Sequence, residues 1–140
     1  MHRSITSLLV AAIALAAGAG TAQAQARWKS IGKTTSGNGV EVDTHSIRRH
    51  GDVIDATVRV RFATPVAMDG GKVVLERSNA MFKCAARTTA TNDNFLYSDA
   101  AGRHLVKKTE NRIPGFGSPF KGTPPDLAMQ YVCANAGKKP

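Results

Sequence analysis

The chain has 140 residues, with 19 lysines and arginines against 10 acidic residues, a formal net charge of +9. That length supports one domain with a single modest core, and no apolar run reaches the roughly 20 residues that a membrane-spanning helix needs. The positive balance favours anionic partners: lipid or lipopolysaccharide headgroups, sulfated polysaccharide, nucleic acid or acidic protein surfaces. It argues against an inhibitor of a basic enzyme, which like charge would repel.

The first residues read as a secretory leader. His2 and Arg3 give a polar, positive start, Leu8 to Ala17 is an unbroken apolar run of 10 residues, and Ala22-Gln23-Ala24 is an A-x-A cleavage site. Residues 1–24 are therefore expected to be removed, with Ala26 as the alternative end. A single domain, residues 25–140, remains. Loss of Arg3 lowers the formal charge of the mature chain to +8. No cysteine lies near the cleavage site to carry a lipid. The expectation is a soluble exported protein, periplasmic or secreted, without a lipid anchor.

Most of the mature chain reads as short strands. Trp28 to Lys33 opens the series, the cluster Thr34 to Gly39 turns it, and Val40 to Asp43 resumes it. His45 to Arg49 meets a turn at His50-Gly51-Asp52. From Val53 to Ala63, the residues Ile54, Ala56, Val58, Val60 and Phe62 alternate with Asp55, Thr57, Arg59 and Arg61. That period of two predicts a strand with one buried and one wet face, paired as a hairpin with the segment before Gly51. Pro65 to Gly71 reads as a loop, Lys72 to Arg77 as a strand, Ser78-Asn79 as a break, and Met81 to Thr91 as a further strand with Cys84 facing the core. Phe95 to Ser98 and His104 to Lys108 flank a turn at Asp99 to Gly102, and Gly115 to Pro125 is an ordered surface loop.

Thr123-Pro124-Pro125-Asp126 supplies a capping hydroxyl, a first-turn proline and a first-turn acid, the signals of a helix start. Leu127, Gln130, Tyr131 and Ala134 follow at helical spacing, which predicts a helix from about Pro124 to Asn135. Cys84 and Cys133 are the only cysteines, 49 positions apart. An even pair in a small exported domain favours one intramolecular disulfide, with two free buried thiols as the alternative. The bond would pin the helix to a strand. The fold expected is α+β, mainly β: a single antiparallel sheet with a C-terminal helix.

Two constellations could carry function. His45, His50 and His104 with Glu41 could furnish the acid–base pair of a small secreted hydrolase, ribonuclease-like in its attraction to phosphate. Nothing in their spacing brings them together, and no nucleophile, P-loop or metal-ligand motif occurs. No catalytic residue, metal or cofactor is expected. The second constellation is a basic face made of Arg48, Arg49, Arg59 and Arg61, extended by Lys83 and Arg87. Like charges on paired strands repel, so such a cluster favours an anion above it. Lys107, Lys108 and Arg112 form a smaller basic group. Aromatics do not interleave with either group in the sequence, which argues against single-stranded nucleic acid.

Trp28, then Val42-Asp43-Thr44-His45-Ser46-Ile47-Arg48-Arg49 followed by Gly51, resembles the Y-x-D-x-x-S-I-x-R-x-G stretch of the surface-adhesin protein E family, without its aromatic. Lys83-Cys84-Ala85-Ala86-Arg87-Thr88 resembles that family's central cysteine strand, and Tyr131-Val132-Cys133 its C-terminal cysteine. The resemblance runs from Trp28 to Cys133. It implies an antiparallel sheet, a helix tied by the disulfide, an envelope location and no catalytic residues. The partners it implies are host-matrix proteins such as vitronectin and laminin, beside the anionic polymer or acidic protein surface that the positive charge favours. A structural envelope component without a soluble ligand is the remaining alternative.

Overall fold

The computed structural model describes residues 27–137; the expected leader lies outside the described residues. Seven strands form one antiparallel sheet: β1 (Trp28–Lys33), β2 (Gly39–Asp43), β3 (Arg48–His50), β4 (Val53–Met68), β5 (Gly71–Lys83), β6 (Thr88–Tyr97) and β7 (Leu105–Glu110). Their spatial order is β1-β2-β4-β5-β6-β7, with the short β3 paired to β4 beyond the end of β2. The alternation in β4 does what its period requires. Ile54, Ala56, Val58 and Val60 are buried, while the residues between them are partly open.

Two strands run further than their sequence suggests. β4 continues through Pro65 to Met68, where a loop was expected. The proline is tolerated because register is lost between Arg61 and Val66, so no ladder hydrogen bond is forfeited. β5 likewise passes through Ser78-Asn79 without a break. Asn79 lies between Thr57 and Asp93 in register, accepting from the Thr57 hydroxyl at 3.3 Å and donating to Asp93 at 3.2 Å. A polar rung across three strands thus replaces the expected turn. The true turn follows Cys84, so β6 begins at Thr88. His45 also leaves the expected strand, since Thr44–Ser46 is a single 3-10 turn.

One face of the sheet packs against helix α1 (Pro124–Asn135). Its core joins Val40, Val42, Ile54, Ala56, Val58, Ala80 and Phe82 to Ala128, Met129 and Val132. The helical stripe is therefore centred on Ala128, Met129 and Val132, with Leu127 and Tyr131 at its margins and Gln130 and Ala134 exposed. The expected hydroxyl cap is not made. The Thr123 hydroxyl donates to the Phe120 carbonyl, and the buried Asp126 carboxylate accepts from Gly122 N–H at 2.9 Å instead. The Cys84–Cys133 disulfide is formed, fastening α1 to the end of β5.

A carboxylate sits in an unfavourable place on the helix-facing side of β5. Burial pushes Glu76 above its ordinary range, and a hydrogen bond from Asn94 Nδ2 at 2.9 Å opposes this only in part. Asn94 Oδ1 is buried with no donor among the described residues. A carboxyl raised in this way contributes full stability below its ordinary value of 4.5, and that contribution is lost as pH rises through the raised folded value. Glu76→Gln removes the charge and adds an amide donor that can pair with Asn94. The variant is expected to be more stable at pH 7 by about 1 kcal/mol for the new hydrogen bond alone. The gain should shrink as pH falls toward 4, and denaturant melts at the two pH values check it.

Candidate outer-face cation–aromatic row

The face of the sheet away from α1 carries one continuous cross-strand row. Ser30, Glu41, Arg59, Arg77, Phe95 and Lys108 are successive register partners on β1, β2, β4, β5, β6 and β7. Strands about 4.8 Å apart make such a row roughly 24 Å long. Glu41 is its one carboxylate, and it accepts from the Nε groups of both Arg59 and Arg61, the latter at 2.9 Å. Desolvation pushes the Glu41 carboxyl up, but the hydrogen bonds and charges of Arg59 and Arg61 outweigh it and hold the group below its usual range. Glu41 is thus an anion fixed between two guanidiniums.

Arg77 has no such partner. It forms no ion pair with any described residue, yet its register neighbour is another arginine. Its guanidinium lies over the rings of Phe95 at 5.1 Å and Tyr97 at 5.3 Å. Arg59 lies over Trp28 at 4.1 Å, and Lys108 over Phe95 at 5.6 Å while pairing with Glu110. Cation–π contact orients these heads without neutralising them. Two guanidiniums share one carboxylate and the third has none, which leaves a net charge of +2 over Arg59, Arg61, Arg77 and Glu41.

The six basic residues expected to form one face do not share one: Arg49, the register partner of buried Ile54, lies on the helix-facing side, and the others are spread along the sheet. Arg59 and Arg61 stay together through Glu41, and Arg61 also donates to the Ala100 carbonyl at 3.1 Å. Arg48 is in register with Asp55, and Arg49 with Ile54. Four residues along a strand separate Asp55 from Arg59, about 13 Å. Lys83 is at that same far end, near Asp52 at 3.7 Å and above the Phe116 ring at 4.7 Å. Arg87 is exposed in the turn after Cys84, with a left-handed φ of 53°.

Arg77, Trp28, Phe95 and Tyr97 are not among the expected site residues, and Glu41 is one only as an acid–base candidate. The expected separation of aromatics from basic residues is overturned: they are distant in sequence but adjacent in the sheet. The signal lay in β5. A continuous Leu75–Arg77–Asn79 alternation would have set Arg77 opposite Arg59, but the break placed at Ser78 hid it. Within the row, Trp28, Phe95 and Tyr97 each already have a cation over the ring, which leaves less of it for a base to stack on.

The histidines are not brought together. His50 Nε2 is 3.2 Å from Asp55 beside the β3–β4 turn, and His104 Nδ1 is 3.5 Å from Asp99 in the β6–β7 turn. Those turns lie at opposite ends of the sheet, since β4 runs from Val53 at one to Arg61 at the other, roughly 26 Å. Backbone N–H groups of His104, Arg103 and Ala101 hold the Asp99 carboxyl below its usual range. Asp99 thus serves the turn, where Gly102 packs so closely that a Cβ would lie 3.3 Å from Leu75.

The Asp43-to-Ile47 stretch has a structural role. Asp43 is 1% exposed; its carboxylate accepts from His45 N–H at 3.0 Å and from Arg27 Nε at 2.7 Å. Ser46 donates to the Asp43 carbonyl at 2.7 Å and accepts from Thr57 N–H at 2.8 Å, and Ile47 packs on the core. This knot turns the chain from β2 into β3.

Fold and row together define a small antiparallel-sheet domain, closed by a disulfide-anchored helix and bearing a cationic aromatic face. The surface-adhesin protein E profile matches residues 28–134, and the chain belongs to that family. Three solved structures share its fold. One, Haemophilus influenzae protein E, has 16% identity and a TM-score of 0.56 over 81% of this chain and 88% of that one. A second crystal form of the same protein has 15% identity and a TM-score of 0.57 over 80% and 91%. Protein E from non-typeable Haemophilus influenzae has 15% identity and a TM-score of 0.55 over 80% and 78%. No curated protein matches the chain. Among the described residues, no helix is long and apolar enough to cross a membrane. The chain is a surface-adhesin-like, exported protein.

Proposed function

We propose that the mature chain is a non-enzymatic binding domain whose outer-face row takes an anionic polymer or the acidic surface of a host-matrix protein. The observation that carries this reading is Arg77: a half-buried guanidinium held over two rings, opposite a second arginine and without a carboxylate of its own. Charge left unpaired at such a position favours an anionic group from a partner. Sulfate or carboxylate groups spaced along a polymer suit a row that crosses six of the seven strands, all but β3. The domain works after removal of residues 1–24, in the periplasm or outside the cell, with no lipid anchor and no cofactor.

Heparin affinity chromatography tests the row against net charge alone. The Arg61→Gln/Arg77→Gln pair and the Arg48→Gln/Arg49→Gln pair each remove two charges. The first pair is expected to weaken binding about tenfold or more at physiological salt, and the second far less. Wild-type retention should fall steeply as salt rises, because screening shortens the reach of exposed charge to about 8 Å at 0.15 M. Equal losses from the two pairs, or no retention of the wild type, would overturn the proposal.

A further inference from the structure

The segment between β7 and α1 presents apolar side chains where a folded chain normally hides them. Ile113 is 90% exposed and Phe120 is 84% exposed, the most open large hydrophobic residues described. The segment is anchored along its length. Asn111 N–H donates to the Asn92 carbonyl at 2.6 Å, Gly117 and Thr89 exchange two backbone hydrogen bonds at 2.9 and 3.0 Å, and the Gly122 carbonyl accepts from Thr35 N–H at 3.2 Å. Gly122 has a φ of +76°, and a Cβ there would lie 2.8 Å from Thr35 Cγ2, so this last anchor requires glycine. Ile113 and Phe120 fall one in each of the two spans between anchors. Phe116, the other large apolar residue, is instead drawn in beneath Lys83.

The chemistry beside these two side chains is uniform. Arg112 adjoins Ile113, Lys121 adjoins Phe120, and both cations are exposed. From Asn111 to Pro125 there is no acidic residue. We infer that this segment docks the protein on an anionic lipid surface, with Ile113 and Phe120 entering the interface and Arg112 and Lys121 meeting the headgroups. Apolar insertion combined with basic attraction is how peripheral proteins hold such surfaces. The anchors mean that little chain order remains to be lost on docking. A protein partner is the less favoured occupant, since two separate projections lack the continuous centre of a protein interface. The docking segment is distinct from the outer-face row: its central anchor, Thr89, lies six residues along β6 from Phe95, about 20 Å.

Co-sedimentation of the mature protein with phosphatidylcholine vesicles, with and without 30% phosphatidylglycerol, at 0.15 M salt tests the inference. The wild type is expected to bind the anionic vesicles. Ile113→Ser/Phe120→Ser should lower partitioning about tenfold or more, and Arg112→Gln/Lys121→Gln about fivefold per charge. Both variants should keep the wild-type Tm. Arg61→Gln/Arg77→Gln, which tests the outer-face row, should leave vesicle binding within a factor of two. Phe120→Trp reports depth: the chain has a single tryptophan, so added emission that brominated lipid quenches locates residue 120 in the bilayer. Failure of the wild type to bind, unchanged binding of the serine variant, or no quenching at residue 120 would overturn the inference. Loss of binding through the outer-face pair instead would also overturn it.

Discussion

Reduction of the Cys84–Cys133 bond is expected to lower the melting temperature by roughly 15 °C. The bond closes a loop of 49 residues, and cross-linking a loop of that length removes about 4 kcal/mol of unfolded-chain entropy. For a domain of this size, each kcal/mol corresponds to about 4 °C. Both half-cystines pack at the margin of the core, and reduction leaves their side chains in place. The shift therefore measures the constraint rather than lost contacts. Melting with and without a membrane-permeant thiol reductant reads the effect, and thiol labelling of natively exported, denatured protein should find no free cysteine. Two labelled thiols, or a shift of only a few degrees, would sink the expectation.

Asp43→Ala should be the most damaging single charge removal, costing about 2 kcal/mol, or roughly 8 °C. The carboxylate is buried, caps the 3-10 turn through His45 N–H, and receives two nitrogens of Arg27. Its loss leaves a cavity and a freed N–H at the point where β2 hands over to β3. Asp43→Asn should recover about half of the loss, because asparagine also caps well. Arg27→Gln should hardly move the melting temperature, since that side chain is 55% exposed and its charge is screened. An Arg27→Gln loss as large as that of Asp43→Ala would show that the ion pair, not the turn, carries the stability.

The parts of the fold legible in the sequence were those set by local pattern. The alternation from Ile54 to Phe62 needs only its own period to choose a face. The Thr123-Pro124-Pro125-Asp126 run marks a helix start even though the Thr123 side chain makes no cap bond and Asp126 instead ties the helix to Gly122 before it. Pairing across strands was less legible, because register depends on where each strand stops. Asn79 looks like a turn residue alone, but between Thr57 and Asp93 it completes a rung. The candidate row went partly unseen for that reason. Arg77 gains meaning only opposite Arg59, and Glu41 only beneath two guanidiniums. The Asp43-to-Ile47 stretch shows the converse: a short pattern legible as a resemblance proves to be a turn in the chain.

The disulfide also sets a route for mechanical load. When the folded chain is pulled by its two ends, tension runs from β1 to Cys84, crosses the sulfurs and leaves through Cys133. The 48 residues between the cysteines are bypassed. They include β6, β7 and most of α1, and amount to about 170 Å of hidden contour length at roughly 3.6 Å per residue. Glu41, Arg59 and Arg77 therefore lie in strands that bear load, whereas Phe95 and Lys108 ride in a sheltered loop that stretching cannot extend. Under shear, the row would part first between β1 and β4, while its distal half and the lipid-facing segment kept their shape.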